Sequence, residues 1–171
     1  DADRAFIITS LPTDAEGANQ NSWTVKNLFQ NAALYWHSQQ VSEENWRTVT
    51  DLEAHFCEYE ILLIQNNWVA AVGLVLAISD FLLRRGYYLR LKEMLEDLHK
   101  CQMPFHERGI ISRLLADTNV RLGEYEIARS LAAVAASTAD AEGVLEERRL
   151  DSIAARQIEA KCELELGRVA N

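Results

Sequence analysis

Glu96 and His99 stand three residues apart, the helical spacing at which a carboxylate and an imidazole ligate one metal of a di-iron carboxylate centre. Such a centre takes a second Glu-x-x-His and two further Glu. The chain has a single Glu-x-x-His, so the remaining ligands would have to be carboxylates of the second helix. His106-Glu107 opens like the zinc-protease pattern His-Glu-x-x-His, but Ile110 occupies the place of the second His. Cys57 and Cys101 each follow a histidine by two residues, His55 and His99. Side chains two apart on a helix do not face each other, so a Cys–His nucleophile would have to form across helices. There is no Gly-x-Ser-x-Gly elbow, no Gly-x-Gly-x-x-Gly and no Gly-x-x-x-x-Gly-Lys-Ser/Thr phosphate loop. The residues therefore read as a non-enzymatic chain without a cofactor.

The elements that position these residues must be helical. Only 7 Gly and 2 Pro in 171 residues leave little material for the turns of a many-stranded barrel or sandwich, and 49% hydrophobic with 25% charged residues describes a globular chain. Seventeen Lys and Arg against 26 Asp and Glu give a formal charge of −9. That balance argues against a general nucleic-acid or anionic-membrane binder, both of which need a basic footprint. Three cysteines, Cys57, Cys101 and Cys162, lie far apart with no Cys-x-x-Cys pair, which fits a reducing cytoplasm better than a disulfide framework. The longest apolar run, Trp68 to Leu83, is interrupted by Ser79 and Asp80 and is shorter than the ~20 residues that span a bilayer. It reads as a buried helix. The start at Asp1 and the stop at Asn171, just after a turn signal, suggest a piece of a larger chain.

Residues 1–21 read as an irregular segment, with Leu11-Pro12-Thr13-Asp14 and Gly17 as loop. Residues 22–171 read as one domain of about seven helices. The first is expected from Ser22, as N-cap, to Gln39, with Val25, Leu28, Phe29, Ala32, Ala33 and Trp36 on one stripe. The second is expected to begin at a Ser42 cap, to carry Trp46, Val49, Leu52, Phe56 and Tyr59 inward, and to end at Gln65-Asn66. The third, Trp68 to Arg85, is expected to be the central, most buried helix and to stop at Gly86. The others are expected over Tyr87–Lys100, over Pro104–Leu122 with Pro104 as its first residue, over Tyr125–Thr138, and over Val144–Leu166 after an Ala139–Gly143 loop.

The helix ends repeat. Gly86-Tyr87-Tyr88-Leu89-Arg90-Leu91 aligns with Gly123-Glu124-Tyr125-Glu126-Ile127-Ala128, Gly167 begins a third copy, and Asn66-Asn67-Trp68-Val69-Ala70-Ala71 is a degenerate relative. Glycine takes the tight turn, the aromatic two residues later wedges between the helices, and a small or aliphatic residue three further on lets them approach. The glycines recur at intervals near the ~34-residue tetratricopeptide unit, although the last interval is longer than the repeat should be. Leu115, Ala116, Ala128, Ala132 and Ala135, and likewise Ile78, Ser79, Leu91, Leu95 and Leu98, fall on the packing positions of that pattern. The chain thus resembles a tetratricopeptide-repeat domain. The resemblance implies antiparallel helix pairs stacked as a right-handed α-solenoid.

A narrower resemblance covers roughly Leu34 to Gly143. It rests on Trp46-Arg47-Thr48-Val49-Thr50-Asp51-Leu52, then Asn67-Trp68-Val69-Ala70-Ala71, then Ile78-Ser79-Asp80-Phe81-Leu82-Leu83-Arg84-Arg85-Gly86-Tyr87-Tyr88 and Leu91. These are similar to the helical segment that follows the nucleotide-binding module in bacterial STAND (NB-ARC-type) signalling ATPases. The resemblance implies a sensor or regulatory arm that binds a protein or small ligand, with any ATPase module outside this chain. It carries over no individual site residue.

In such arrays the first helix of each pair lines the groove. By register the groove residues are Leu76, Asp80, Leu83 and Arg84, then Arg113, Asp117, Val120 and Arg121, then Gln157, Lys161 and Glu165. Arg84, Arg113, Arg121 and Lys161 would place four positive charges on one face of an acidic protein, where a carboxylate or acidic peptide could be clamped. Alternatively, Asp80 and Asp117 pair with the arginines on a solvated face. The expected partners are a protein or peptide ligand, neighbouring domains of a larger chain, and a second copy docked through an exposed repeat end, with neither nucleic acid nor membrane. Two rivals stay open: a helical-bundle metal protein or enzyme built on Glu96 and His99, and a purely structural oligomerisation segment.

Overall fold

A computed structural model describes residues 24–102, 104–141 and 146–167. Among them are seven α-helices and no strand, so the protein is all-α. The helices are α1 (Val25–Ser38), α2 (Glu53–Ile64), α3 (Trp68–Arg84), α4 (Tyr88–Lys100), α5 (Phe105–Arg121), α6 (Tyr125–Ala141) and α7 (Glu146–Glu165). The chain divides into two compact units, Asp1–Asn67 and Trp68–Asn171. The irregular 1–21 segment and the Ser22 cap lie outside the described residues.

In the first unit α1 packs on α2. Thr24 is the cap of α1: its hydroxyl accepts the Asn27 N–H at 3.1 Å. The expected stripe of α1 is half-buried throughout, and no residue of this helix is fully buried. The second helix starts later than its Ser42 signal suggests. Residues Glu43–Asn45 and Val49–Leu52 form two 3₁₀ turns, and the α-helix begins only at Glu53. The reason is Asp51, whose carboxylate accepts the backbone N–H of both Arg47 and Thr48 at 2.8 Å. Those bonds hold Asp51 below the usual carboxylate range and fix a capping box at Thr48 rather than at Ser42. Trp46 is buried all the same, its indole N–H donating to the Val41 carbonyl at 2.8 Å.

In the second unit α3 packs on α4, α4 on α5, α5 on α6 and α6 on α7, while α5 also touches α3 and α7. The helix ends follow one recipe. Gly86 (φ 80°) and Gly123 (φ 78°) take the left-handed conformation one residue past a helix. Behind Gly86 the Tyr87 N–H reaches the Leu82 carbonyl at 2.9 Å, and behind Gly123 the Glu124 N–H reaches the Asn119 carbonyl at 2.9 Å. In the first unit Asn66 (φ 56°) does the same work after α2, with the Asn67 N–H on the Leu62 carbonyl at 3.0 Å. Asparagine manages this conformation where most side chains would strain.

All ten repeat positions named from the sequence, from Ile78 to Ala135, are buried. Tyr125, two residues after Gly123, packs against Val120 of α5, Ala128 of α6 and Cys162 of α7, as a wedge should. Alanines at 135, 136 and 155 bring α6 and α7 together without side-chain bulk. Helix α3 departs from expectation, since Val69, Ala70, Gly73, Leu76 and Ala77 are exposed and only one face is buried. Pro104 sits at the cap position, with the helix starting at Phe105, and α6 runs on to Ala141 through the expected loop.

Candidate functional site

The groove residues fall into pairs. Arg84 pairs with Asp80 one turn earlier on α3, and Arg121 with Asp117 at 3.2 Å on α5. Arg113 of α5 reaches across to Asp151 of α7 at 3.2 Å. Three of the four cations are therefore answered by a carboxylate within the chain. Leu76 is exposed and Leu83 half-buried. Gln157, Lys161 and Glu165 are exposed on α7. Val120 does not face a groove: it is buried in the cluster beside Tyr125. Exposed pairs one helical turn apart are worth only about 0.3–0.5 kcal/mol, so Asp80–Arg84 and Asp117–Arg121 hold little.

Arg113 differs because of where it sits. It lines a shallow cleft of about 290 Å³, open to solvent, built by α5, α6 and α7. Gly109 and Ile110 of α5 and Ala135 and Ala139 of α6 supply small apolar walls, and His106, Arg113 and Asp151 supply the polar edge. The walls exist because α5 and α6 come very close here. A Cβ built on Gly109 would stand 2.8 Å from the Thr138 Cγ2. Thr138 is itself pinned, its hydroxyl donating to the Val134 carbonyl at 2.8 Å. On the α7 side, Asp140 accepts from the Ser152 hydroxyl at 2.7 Å and from Arg156 at 2.6 Å, which holds its carboxyl below the usual range. Arg129 of α6 meets Glu163 of α7 at 3.0 Å. Reading by register missed Asp151, Gly109 and Thr138. The available signal was a charge, Asp151, set directly beside the inward stripe Ser152, Ala155, Ile158 and Cys162.

The other chemical candidates are placed as follows. Glu96 lies 3.9 Å from Lys92, which also pairs with Glu124. Among the described residues no group of three or more His, Cys, Asp or Glu is arranged to hold a metal ion. Burial, reinforced by Glu60 and Glu53, pushes the Cys57 thiol up, and burial with Asp97 pushes the Cys101 thiol up. Both shifts run opposite to those of an activated nucleophile. In the first unit the His55 ring is buried edge-on against Trp46, 5.3 Å between centroids, and its Nδ1 has no hydrogen-bond partner. Beside it, Glu58 meets His37 Nδ1 at 3.3 Å and accepts from the Gln40 amide at 2.5 Å. Among the described residues no helix is long and apolar enough to cross a membrane.

No protein-family model, no curated protein and no solved structure matches the chain.

Proposed function

We propose that this chain is a non-enzymatic, tetratricopeptide-like binding module that takes an acidic peptide segment through the cleft at Arg113. In this reading the helices form antiparallel pairs, α3 with α4 and α5 with α6, and the pairs stack as a right-handed solenoid. The connections of residues 85–87 and 122–124, each turned by a left-handed glycine, support that arrangement.

The cleft carries the functional reading. Its size suits one or two side chains and falls short of the usual ~300–1,000 Å³ of a small-molecule pocket. Its walls are apolar, and its one guanidinium is held by a carboxylate that a ligand carboxylate can replace. An incoming Glu or Asp would take over the Arg113 fork while its neighbour fills the space over Gly109 and Ala139. By the resemblance stated above, the module would be the sensor or regulatory arm of a cytoplasmic bacterial STAND-type ATPase. A reading frame with a phosphate-loop module upstream supports that placement, and one without it removes the placement but not the binding site.

Selection of a random peptide library on the purified chain tests the site. Enriched peptides should carry an acidic residue beside an apolar one, and should bind Arg113→Gln at least tenfold more weakly while binding Arg84→Gln as before. Equal loss at both positions would point to bulk charge. No loss at either would favour the purely structural reading.

A further inference from the structure

We infer that α7 carries a self-complementary surface through which two copies of this chain associate around a two-fold axis at Gln157. Helix α7 buries Ser152, Ala155 and Cys162 against the rest of its unit. On the opposite face Leu150, Ile153, Gln157, Lys161 and Leu164 follow at helical spacing, all of them exposed. Leu150, Ile153 and Leu164 keep 65%, 53% and 64% of their surface in water. A helical repeat array needs a polar outer face at its end to stay dispersed, and this face is not polar.

The occupant follows from the order of residues. Lay a second α7 antiparallel across the first with Gln157 on the axis. Leu150 then meets the partner's Leu164, and Ile153 meets the alkyl stem of the partner's Lys161. Each contact occurs twice, as an isologous interface requires. Charge selects this register. A shift of three residues would set Arg156 opposite the partner's Lys161, two exposed cations face to face. With Gln157 on the axis, the only charge on the stripe lies over an apolar residue. The three apolar side chains offer about 300 Å² per copy, the size of a functional patch and well below the ~800 Å² per partner of a stable complex. The dimer is therefore weak and forms with rising concentration.

Sedimentation velocity over a concentration series tests this, together with Leu150→Glu and Leu164→Glu. Both side chains stand in water in the single copy, so the variants should keep the wild-type circular dichroism and melting temperature. Each should weaken dimerisation at least a hundredfold, because each change enters twice. A thiol probe fixes the register. With Cys57 and Cys101 replaced by serine, Gln157→Cys should cross-link to itself on mild oxidation, while Ser130→Cys on the exposed side of α6 should not. A monomer at every concentration overturns the inference and leaves the stripe to a following segment or to another protein. So does a dimer indifferent to Leu164→Glu, or cross-linking that is equal at both thiols.

Discussion

Gly109→Ala sets two effects of known sign against each other. In a helix interior alanine is favoured over glycine by about 0.8–1.0 kcal/mol, so an exposed site would be stabilised. At Gly109 the new methyl would stand 2.8 Å from Thr138 Cγ2 and 3.3 Å from its Cβ. Thr138 cannot rotate away cheaply. It is buried, β-branched, and tied to the Val134 carbonyl at 2.8 Å. The clash must instead push α5 and α6 apart, and overpacking of that kind costs about 1–3 kcal/mol. The net is a loss of about 1 kcal/mol. Urea unfolding followed by far-ultraviolet circular dichroism reads it as a lower midpoint at unchanged slope. The control is Thr138→Ser, which deletes the methyl that makes the clash and keeps the hydroxyl. In that background Gly109→Ala should be neutral or stabilising, a coupling of about 1 kcal/mol or more. If Gly109→Ala stabilises the wild-type chain by the full helix-propensity increment, the two helices are not in contact here, and the cleft walls are misassigned.

The turns make a second test. Gly123→Ala meets no atom within 4 Å, so its cost is backbone strain alone, about 1–2 kcal/mol less the ~0.4–1 recovered from a stiffer unfolded chain. Asn66→Ala should cost a similar amount and Asn66→Gly almost nothing, all three read from the same unfolding curves. His55 gives a pH dependence. Burial, and then the nearby His37, hold its pKa below the ordinary 6.5, so the unfolded chain takes the proton first. This contribution is complete above pH 6.5 and is lost as the pH falls through that value toward the lower folded pKa. Melting temperatures from neutral to about pH 5 should decline more steeply for wild type than for His55→Phe, which keeps the ring against Trp46. Equal slopes would mean that His55 is not buried as neutral imidazole. Trp46→Phe removes the bond to the Val41 carbonyl and should lower stability by about 1 kcal/mol, visible in the same melts.

The turns were the most legible part of the chain because they depend on single residues. Gly86, Gly123 and Asn66 each mark a left-handed residue, and the aromatic and small positions that follow are set by the same turn. The start of α2 was less legible because two capping signals compete within a few residues. Ser42 has Asn45 three positions on, whereas Thr48 has Asp51, and only a carboxylate can take two backbone N–H groups at once. The one-sidedness of α3 was hidden because Val69, Ala70, Leu76 and Ala77 are apolar without being buried, and pattern alone assigns such residues to a core. The cleft was half legible. Arg113 could be named from its register, but its carboxylate partner depends on how α7 lies against α5, which no local spacing encodes.

Helix α7 serves two surfaces at once, and their coupling can be worked out. Asp151 turns toward Arg113 and the cleft, while Leu150 and Ile153, one residue before it and two after, turn outward. A peptide carboxylate that captured Arg113 would release Asp151. It would not release α7, which stays fixed to α6 by Asp140 with Ser152 and Arg156, by Arg129 with Glu163, and by the alanine contact of 135, 136 and 155. A ligand shifts an equilibrium only by the difference in its affinity for the two states, and here the helix stays in place in both. Cleft occupancy should therefore change the dimerisation constant by less than about threefold, and by linkage dimerisation should change peptide affinity by the same small factor. Sedimentation with and without a selected acidic peptide measures it. A larger change would mean that the Arg113–Asp151 pair, and not the α6–α7 contacts, sets the position of α7. Arg113→Gln alone should then alter dimerisation without any peptide present.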